Sequence, residues 1–216
     1  MFQEHDVLLV DDHPLVRESL ANLINNQPGL KVCAEASSVE EALDQLSLKT
    51  PNIAIIDLSL RDRSGLELID VIRKAYPQVA MIVLSMHEEK HYAERVIRAG
   101  ARGYITKREG TKEIINAIHK VMQGGLALSP QTTVLFGRKY LQDKPAASRL
   151  ETLSNRELEV FRLLGQGLDT RAIATRLDLS IKTVQSYCAR MKEKLDLANA
   201  TELLHEAVSF NERGVI

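Results

Sequence analysis

Polar and charged side chains follow the short apolar runs in the first half of this sequence. Asp11 and Asp12 come directly after the first run, Asp57 follows the third, Ser85 ends the fourth, and Lys107 comes shortly after the fifth. A single aspartate after a strand is usually a loop residue or a helix cap, so each position alone says little. Their joint occurrence at the ends of four runs indicates one shared site.

Three carboxylates in one crevice repel one another unless a cation neutralises them. Mg²⁺ favours such oxygen ligands, and it usually binds through one or two carboxylates together with phosphate oxygens. A carboxylate such as Asp57 can attack a phosphoryl group and form an acyl phosphate. Lys107 would then pair with the new phosphate, and Ser85 could donate a hydrogen bond to it.

Five apolar runs alternate with amphipathic stretches over residues 1–123. Most runs lack strict alternation, which is typical of strands buried on both faces of a sheet. Strands alternating with helices predict a doubly wound, five-stranded parallel α/β sheet. If the strand order is the flavodoxin-like 2-1-3-4-5, the first and third strands are neighbours and the three carboxylates converge beyond their carboxyl ends. The predicted strands are 7–10, 30–34, 53–56, 80–84 and 103–105.

The C-terminal part of the chain, residues 151–216, contains no strand-like run and is predicted to be all-α. Ser154 and Glu157 have the spacing of a capping box, which predicts a helix start. Apolar residues at helical spacing predict a buried stripe on the third helix, at Val184, Cys188, Met191 and Leu195. Helices are expected near 155–166, 170–177, 181–195 and 200–212.

The segment between these parts, residues 124–150, is predicted to be a linker. Gly124 and Gly125 end the fifth helix of the first domain. Ser129-Pro130 could begin one helix that reaches about Leu141. Residues 143–148 are polar and contain proline, as linkers often do. The expected domains are therefore 1–123, 124–150 and 151–216.

Composition argues for a soluble protein that does not enter a membrane. Hydrophobic residues make up 44% and charged residues 26% of the chain, and no window of 18 apolar residues occurs. The N-terminus lacks the basic and apolar regions of a secretory signal. Cys33 and Cys188 lie far apart in the sequence, so the reduced cytoplasm is the expected location. The net charge of −1 argues neither for nor against a nucleic-acid partner.

Residues 1–123 resemble the receiver domain of bacterial two-component response regulators. The matching segments are Val10-Asp11-Asp12-His13, Ile56-Asp57, Leu84-Ser85 and Tyr104-Ile105-Thr106-Lys107. The resemblance implies that Asp57 accepts phosphate from a cognate histidine kinase. It also implies Mg²⁺ held by Asp12, Asp57 and the backbone carbonyl of Ser59, with Asp11 assisting partly through water.

The same resemblance implies that Ser85 and Tyr104 form a switch pair. Ser85 would move toward the phosphate, and the Tyr104 ring would follow into the vacated space. Two positions depart from the commonest receiver pattern. Arg108 replaces a proline, which matters little because relatives with this C-terminal domain often lack it. Met86 stands where a small residue is common, which could narrow access to the phosphate.

Leu153-Ser154-Asn155-Arg156-Glu157-Leu158-Glu159-Val160 and Lys182-Thr183-Val184 resemble the LuxR-type helix-turn-helix. With the receiver, nearly the whole chain is similar to NarL/FixJ-type response regulators. The resemblance implies that the helix 181–195 enters the major groove of double-stranded DNA. It also implies that two copies of the chain form a homodimer through the last helix. Phosphates would be contacted by Lys182, Thr183, Arg190 and Lys194, and bases would be faced by Gln185, Ser186 and Ala189, with Tyr187 at the flank.

Two departures concern this DNA-reading helix. The family often has Lys at position 185 and His at position 187, where this chain has Gln185 and Tyr187. Glutamine pairs with adenine rather than guanine, so the target sequence is expected to differ from those of better-known relatives. One hypothesis for control is that the unphosphorylated receiver packs over the helix 181–195 and that phosphorylation releases it.

Other functions fit parts of the sequence less well. A flavin-binding protein of this topology would carry a Ser/Thr/Gly-rich phosphate loop where this chain has Asp-Asp-His-Pro. An enzyme would need a base in the pocket, and only His13 is near, so turnover of a small substrate is not expected. A regulator that uses its receiver only to dimerise is a further alternative. His87 and His91 could hold a metal, although two solvent-facing residues are the favoured interpretation.

Overall fold

The structure is a computed structural model that describes residues 4–60, 64–86, 89–130, 132–134 and 149–213. The chain forms two compact units, Met1–Leu141 and Gln142–Ile216. Among the described residues, every helix is too short or too polar to cross a bilayer.

The first unit is built on a five-stranded parallel sheet with the strand order β2-β1-β3-β4-β5. This confirms the predicted order and places the first and third strands side by side. β3 is the central strand and all five of its residues are buried, as expected for a strand covered on both faces. The strands are β1 His5–Val10, β2 Leu30–Ala36, β3 Ile53–Asp57, β4 Ala80–Ser85 and β5 Gly103–Thr106.

Five helices connect these strands: α1 Pro14–Asn25, α2 Val39–Leu48, α3 Gly65–Ala75, α4 Glu89–Ala99 and α5 Thr111–Met122. Pro14 begins α1 because its fixed φ suits the first helical turn. The Ser38 hydroxyl caps α2 by accepting a hydrogen bond from the Glu41 N–H. The Glu41 carboxylate accepts from the Ser37 N–H at 2.6 Å. Ser38 and Glu41 thus form a variant of the capping box, in which the glutamate carboxylate accepts from Ser37 instead of from the cap residue Ser38.

The core of the first unit lies between the sheet and its helices. Ile53, Ile82 and Ile118 are fully buried there, on two strands and on α5. Burial of each such side chain stabilises the fold by roughly 1.5–3 kcal/mol. Because β1 and β3 are locked into this core, the polar residues that follow them are held in fixed positions at one edge of the sheet.

The chain after α5 pairs with the edge of the sheet. Ala127 forms a parallel bridge with Gly103, and the Tyr104 N–H donates to the Ala127 carbonyl at 2.9 Å. Residues 130 and 132–134 are helical, and the Ser129 hydroxyl accepts from the Thr132 N–H. The rest of the predicted helix to Leu141 and the polar segment 143–148 lie outside the described residues.

The second unit is helical. A 3-10 turn at Arg149–Thr152 leads into α6 Asn155–Gly165, α7 Thr170–Arg176, α8 Ile181–Leu195 and α9 Ala200–Arg213. These confirm the four predicted helices. The capping box of Ser154 and Glu157 is complete at the start of α6. Val184, Met191 and Leu195 are buried as predicted, but Cys188 is only half-buried, because it lines an open cavity to which all four helices contribute.

Candidate functional site

The site in the first unit lies where β1 and β3 end. Asp57 is the last residue of β3 and is 3% exposed, while Asp11 follows β1 and is 2% exposed. One ligand atom from each of Asp11, Asp12, His13 and Asp57 lies within 4.8 Å of the others. Adjacent parallel strands thus bring together three carboxylates that are up to 46 positions apart in the sequence, as the strand order predicted.

A buried lysine joins this acidic cluster from the loop after β5. The Lys107 Nζ lies 2.6 Å from Oδ2 of Asp11 and 2.7 Å from Oδ2 of Asp57. The backbone N–H of Lys107 donates to the carbonyl of Ser85 at 2.8 Å, which fixes the loop against the end of β4. One ammonium against three carboxylates leaves the pocket negative, so it attracts a further cation.

Burial and charge set the proton affinities of this cluster. Burial raises the pKa of Asp57, and the Asp11 carboxylate also raises it, while Lys107 opposes both effects. Burial alone would lower the pKa of Lys107, but the carboxylates of Asp57 and Asp11 outweigh burial, so that pKa is raised. Lys107 is therefore a permanent cation at neutral pH, and Asp57 is a more basic carboxylate than an exposed aspartate.

Backbone groups shape the pocket around Asp57. The Ser59 N–H donates to Oδ1 of Asp57 at 3.1 Å, so both carboxylate oxygens of Asp57 accept hydrogen bonds. Gly65, the first residue of α3, lies so close that a Cβ there would overlap the carbonyl oxygen of Asp57. Only glycine allows α3 to begin this near to the strand.

Ser85 and Tyr104 lie on the two strands beyond Asp57. Ser85 is fully buried at the end of β4, and Tyr104 is 2% exposed in β5. Their strands are paired, with Ser85 opposite Thr106 and Val83 opposite Tyr104. Tyr104 therefore lies two residues further into the sheet than Ser85, on the neighbouring strand.

Two further residues hold the aspartates after β1. The Nδ1 atom of His13 lies 2.9 Å from Oδ1 of Asp12 and 3.2 Å from Oδ1 of Asp11. Arg17, on α1, donates through Nη1 to the carbonyl of Asp11 at 2.7 Å and through Nε to Glu35 at 3.1 Å. Sequence reasoning gave Arg17 no role, because its spacing is that of an ordinary helix residue.

The donor set fits a hard divalent cation. Asp11, Asp12 and Asp57 offer carboxylate oxygens, which Mg²⁺ and Ca²⁺ prefer. The imidazole of His13 also reaches the cluster, but it is 57% exposed and stands at the rim. The buried oxygens therefore dominate the chemistry of the pocket.

The second unit presents two helices joined by a four-residue turn, residues 177–180. Asp178 has a φ of 54°, in the left-handed region that aspartate tolerates, and this lets the chain reverse direction between α7 and α8. The Ser180 hydroxyl accepts from the Thr183 N–H at 3.0 Å and caps α8. This arrangement has the form of a helix-turn-helix.

The residues predicted to contact DNA lie mainly on the exposed side of α8. The exposed ones are Lys182, Gln185, Ser186, Ala189, Arg190 and Lys194, while Thr183 and Tyr187 are half-buried. Several of these side chains already have partners. Lys194 Nζ lies 2.7 Å from Oε2 of the buried Glu157, and the Arg190 guanidinium stacks 5.2 Å above the centre of the Tyr187 ring. His87 lies outside the described residues, so a His87–His91 pair stays a prediction.

Comparison with known families shows to which class of protein the chain belongs. The family described as "Response regulator receiver domain" matches residues 7–119, and the family described as "Bacterial regulatory proteins, luxR family" matches residues 151–207. The chain belongs to the response regulators that join a receiver to a LuxR-type DNA-binding domain. This confirms the resemblance, and the class of function is therefore regulation of transcription.

Individual relatives match between 65% and 94% of this response regulator. It is 40% identical over 199 residues to the transcriptional regulatory protein UhpA of Salmonella typhimurium, covering 92% of this chain and 95% of the relative. A LuxR-family response regulator from Aurantimonas sp. is 33% identical, with a TM-score of 0.60 over 65% of this chain and all of that one. RcsB from Salmonella enterica, solved on the promoter rprA with the phosphomimetic BeF3−, is 26% identical, with a TM-score of 0.61 over 94% and 98% of the chains.

Proposed function

We propose that this response regulator is phosphorylated on Asp57 by a histidine kinase and that phosphorylation controls its binding to specific DNA sequences. The observation that carries the proposal is the buried cluster of Asp57, Asp11 and Lys107, with Ser85 at the next strand end. We place the phosphorylated domain at 1–123, the linker at 124–150 and the DNA-binding domain at 151–216. We expect the protein to work in the cytoplasm, where both DNA and kinase are found.

The transfer step follows from the chemistry of Asp57. Its carboxylate oxygen attacks the phosphorus of a phosphohistidine, an O–P bond forms, and the N–P bond breaks. The electron pair of that bond stays on the imidazole, which takes up a proton from water. Mg²⁺, when bound, would neutralise the charge shared by the carboxylates and the phosphoryl oxygens. Asp11, Asp12, Asp57 and the Ser59 carbonyl would hold it.

Lys107 and Ser85 would then bind the phosphoryl group on Asp57. A phosphoryl group on Asp57 offers oxygens with up to two negative charges, and these compete with the carboxylates for the Lys107 ammonium. The Ser85 hydroxyl lies at the neighbouring strand end and can donate to the same oxygens. Tyr104 is two positions before Thr106, the partner of Ser85, and would respond to its movement.

DNA binding would use α8 as the recognition helix and α9 for assembly. The second helix of a helix-turn-helix lies in the major groove, with its N-terminal residues at the base edges. α9 exposes Leu204 and Val208, which are 45% and 36% exposed and lie one turn apart. A second copy of the chain, related by twofold symmetry, could cover these side chains on a DNA site with two half-sites.

The first experiment measures phosphate transfer. The chain is incubated with labelled phosphoramidate or acetyl phosphate, with and without Mg²⁺. The label that stays on the protein is then measured after electrophoresis on an acidic gel. Asp57→Asn is expected to abolish labelling, whereas Asp44→Asn, an exposed carboxylate on α2, is expected to leave it unchanged. Equal labelling of Asp57→Asn would contradict the assignment of Asp57.

A second measurement links phosphorylation to DNA. Promoter fragments are bound with and without the phosphodonor, and the affinity of the wild-type chain is expected to rise. If Asp57→Asn responds to the donor as the wild type does, Asp57 does not control binding. If no donor or kinase labels the chain but it still binds promoters, the chain works as a regulator independent of phosphorylation.

A further inference from the structure

We propose that Arg17 is a positioning residue for the cation site, because it holds the peptide between Asp11 and Asp12 in the orientation that brings their carboxylates together. The inference rests on the proposed function, since it assigns Arg17 a part in the Mg²⁺-dependent phosphorylation of Asp57. It goes beyond that function because Arg17 is not among the residues that would hold the cation or the phosphoryl group. Arg17 acts through the backbone of Asp11.

The backbone of Asp11 lies at the point where the pairing of β1 with β2 ends. The Asp11 N–H donates to the carbonyl of Ala36, the last residue of β2, at 3.1 Å. The carbonyl of Asp11 accepts from Nη1 of Arg17 at 2.7 Å, so a guanidinium takes the place of a further strand N–H. Asp11 is 2% exposed, and a buried carbonyl without such a partner would cost free energy.

The bond to this carbonyl controls the link between two acidic residues. The carbonyl of Asp11 and the N–H of Asp12 belong to one planar peptide group, so a bond to the carbonyl fixes the rotation of the whole group. The carboxylates on either side face different partners, Lys107 Nζ at 2.6 Å for Asp11 and His13 Nδ1 at 2.9 Å for Asp12. Rotation of the peptide would turn one carboxylate relative to the other, and the bond from Arg17 opposes that rotation.

The side chain of Arg17 is itself held in place. Helical side chains lean toward the N-terminus of their helix, so this guanidinium reaches from α1 back to the loop before it. Its Nε donates to Oε2 of Glu35, on β2, at 3.1 Å. Glu35 is 45% exposed, so the pair contributes little free energy by itself, but it orients the planar guanidinium so that Nη1 meets the Asp11 carbonyl. A lysine could not make both bonds with this geometry.

Charge and position predict opposite effects of removing Arg17. Loss of a cation beside an acidic pocket would by itself strengthen Mg²⁺ binding, as loss of the Lys107 ammonium would. Loss of a residue that orients metal ligands would weaken binding, typically by about 10- to 100-fold. The effect of position is expected to prevail, because the charge of Arg17 is already compensated by Glu35. The sign of the change in Mg²⁺ affinity therefore decides between the two.

The test uses the full-length chain in two measurements, Mg²⁺ titration by calorimetry and labelling by acetyl phosphate at increasing Mg²⁺ concentration. In Arg17→Met the dissociation constant for Mg²⁺ should rise about 10-fold, and the Mg²⁺ concentration for half-maximal labelling should rise by the same factor. The labelling rate at saturating Mg²⁺ should stay near that of the wild type, since Asp57 and Lys107 are unchanged. Arg17→Lys keeps the charge without the planar guanidinium, so it should restore only part of the affinity.

Two further variants serve as controls. Arg98→Met removes an arginine that pairs with Glu94 at 2.7 Å near the end of α4, and it should leave the Mg²⁺ affinity unchanged. Glu35→Gln removes the anchoring charge and keeps Arg17, so it should weaken Mg²⁺ binding by at most about five-fold. Urea unfolding shows whether each variant is folded. If Arg17→Met does not fold, the ranking of wild type, Glu35→Gln and Arg17→Lys decides the question.

The outcomes separate two failures. Unchanged or tighter Mg²⁺ binding in the Arg17 variants, or an equal loss in Arg98→Met, would overturn this inference while leaving phosphorylation of Asp57 intact. A lower labelling rate with an unchanged Mg²⁺ requirement would overturn it as well. Absence of labelling in the wild type at every Mg²⁺ concentration would overturn the proposed function itself.

Discussion

The Lys107 ammonium lies 2.7 Å from the carboxylate of Asp57, across 50 positions of sequence. The contact joins the loop after β5 to the end of β3 in a pocket that is almost closed to solvent. The same ammonium also contacts Asp11, at the end of β1. The backbone N–H of Lys107 is in turn bonded to the carbonyl of Ser85, so one residue contacts the ends of β1, β3 and β4.

Replacement of Asp57 by asparagine is expected to stabilise the protein at neutral pH. The raised pKa of Asp57 means that the folded chain binds this proton more tightly than the unfolded chain, whose ordinary value is 3.8. The stability from this group is therefore fully present below pH 3.8 and is lost as pH rises through the folded pKa. At pH 7 the charged, buried carboxylate therefore destabilises the fold, and asparagine removes this cost.

Urea unfolding without divalent cations, at pH 7 and pH 4, measures this difference. The advantage of Asp57→Asn should be largest at pH 7 and smaller at pH 4. The control Asp44→Asn should show neither change. An advantage that grows as the pH falls would show that Asp57 is instead stabilised as a carboxylate.

Removal of the Lys107 charge is expected to strengthen cation binding. In Lys107→Met the pocket keeps its three carboxylates but loses the ammonium that lies within 2.7 Å of two of them. The site becomes more negative, so the affinity for Mg²⁺ should rise about ten-fold. Isothermal titration calorimetry measures this, with Lys112→Met, an exposed lysine on α5, as the control. Unchanged or weaker binding would mean that Lys107 helps to shape the cation site.

A methyl group at Gly165 is expected to destabilise the second unit. A Cβ there would overlap the carbonyl oxygen of Ala207 and lie 2.6 Å from Nδ2 of Asn211, because α6 and α9 cross closely at this point. Asn211 also donates to the carbonyl of Arg162 at 2.9 Å, a bond that the shift would disturb. Gly165→Ala should cost about 1–3 kcal/mol.

The matched control for Gly165→Ala is Gly167→Ala. Gly167 has a φ of +85°, but no atom lies within 4 Å of the point that a Cβ would occupy, so the variant has backbone strain without a clash. Its cost should be about 1 kcal/mol. Thermal unfolding followed by circular dichroism compares the two variants, and equal losses would argue that the α6–α9 contact can relax.

Lys194 is expected to stabilise the second unit through Glu157. Burial raises the pKa of Glu157, but the hydrogen bonds from Lys194 and Ser154 outweigh burial, and the net shift is downward from 4.5. The stability from this group is therefore present above pH 4.5 and is lost as pH falls through the folded pKa. Lys194→Met should cost about 1–3 kcal/mol at pH 7, because the buried carboxylate loses its partner.

The loss in Lys194→Met should shrink as the pH falls through the folded pKa of Glu157, where this carboxylate becomes protonated. Urea unfolding at a series of pH values from 7 downward tests this. Lys182→Met is the comparison. It should leave the free energy of unfolding unchanged, but it should reduce the slope of log K against log salt concentration for DNA binding by about one. If Lys194→Met behaves in the same way as Lys182→Met, then Lys194 contacts DNA phosphates, as the sequence predicts, and its pairing with Glu157 adds little.

Much of the fold and part of the pocket were predictable from local patterns. The five apolar runs predicted the strands because a strand buried on both faces needs consecutive apolar residues. Ser154 and Glu157 predicted a helix start because a capping box is formed by residues three apart. Asp11, Asp12 and Asp57 followed from position alone, since the carboxyl ends of neighbouring parallel strands meet at one edge.

The partners of individual side chains were decided only by tertiary structure. Arg17 holds the backbone of Asp11 because α1 returns along β1, and Ala127 pairs with Gly103 because β5 has an open edge. The Lys194–Glu157 pair depends on how α8 crosses α6. Cys188 shared the spacing of the buried stripe but is half-buried, because periodicity gives the direction of a side chain and not what packs against it. The sequence by itself determined the elements and the chemistry of the site, whereas the packing of distant elements decided which charges are already paired.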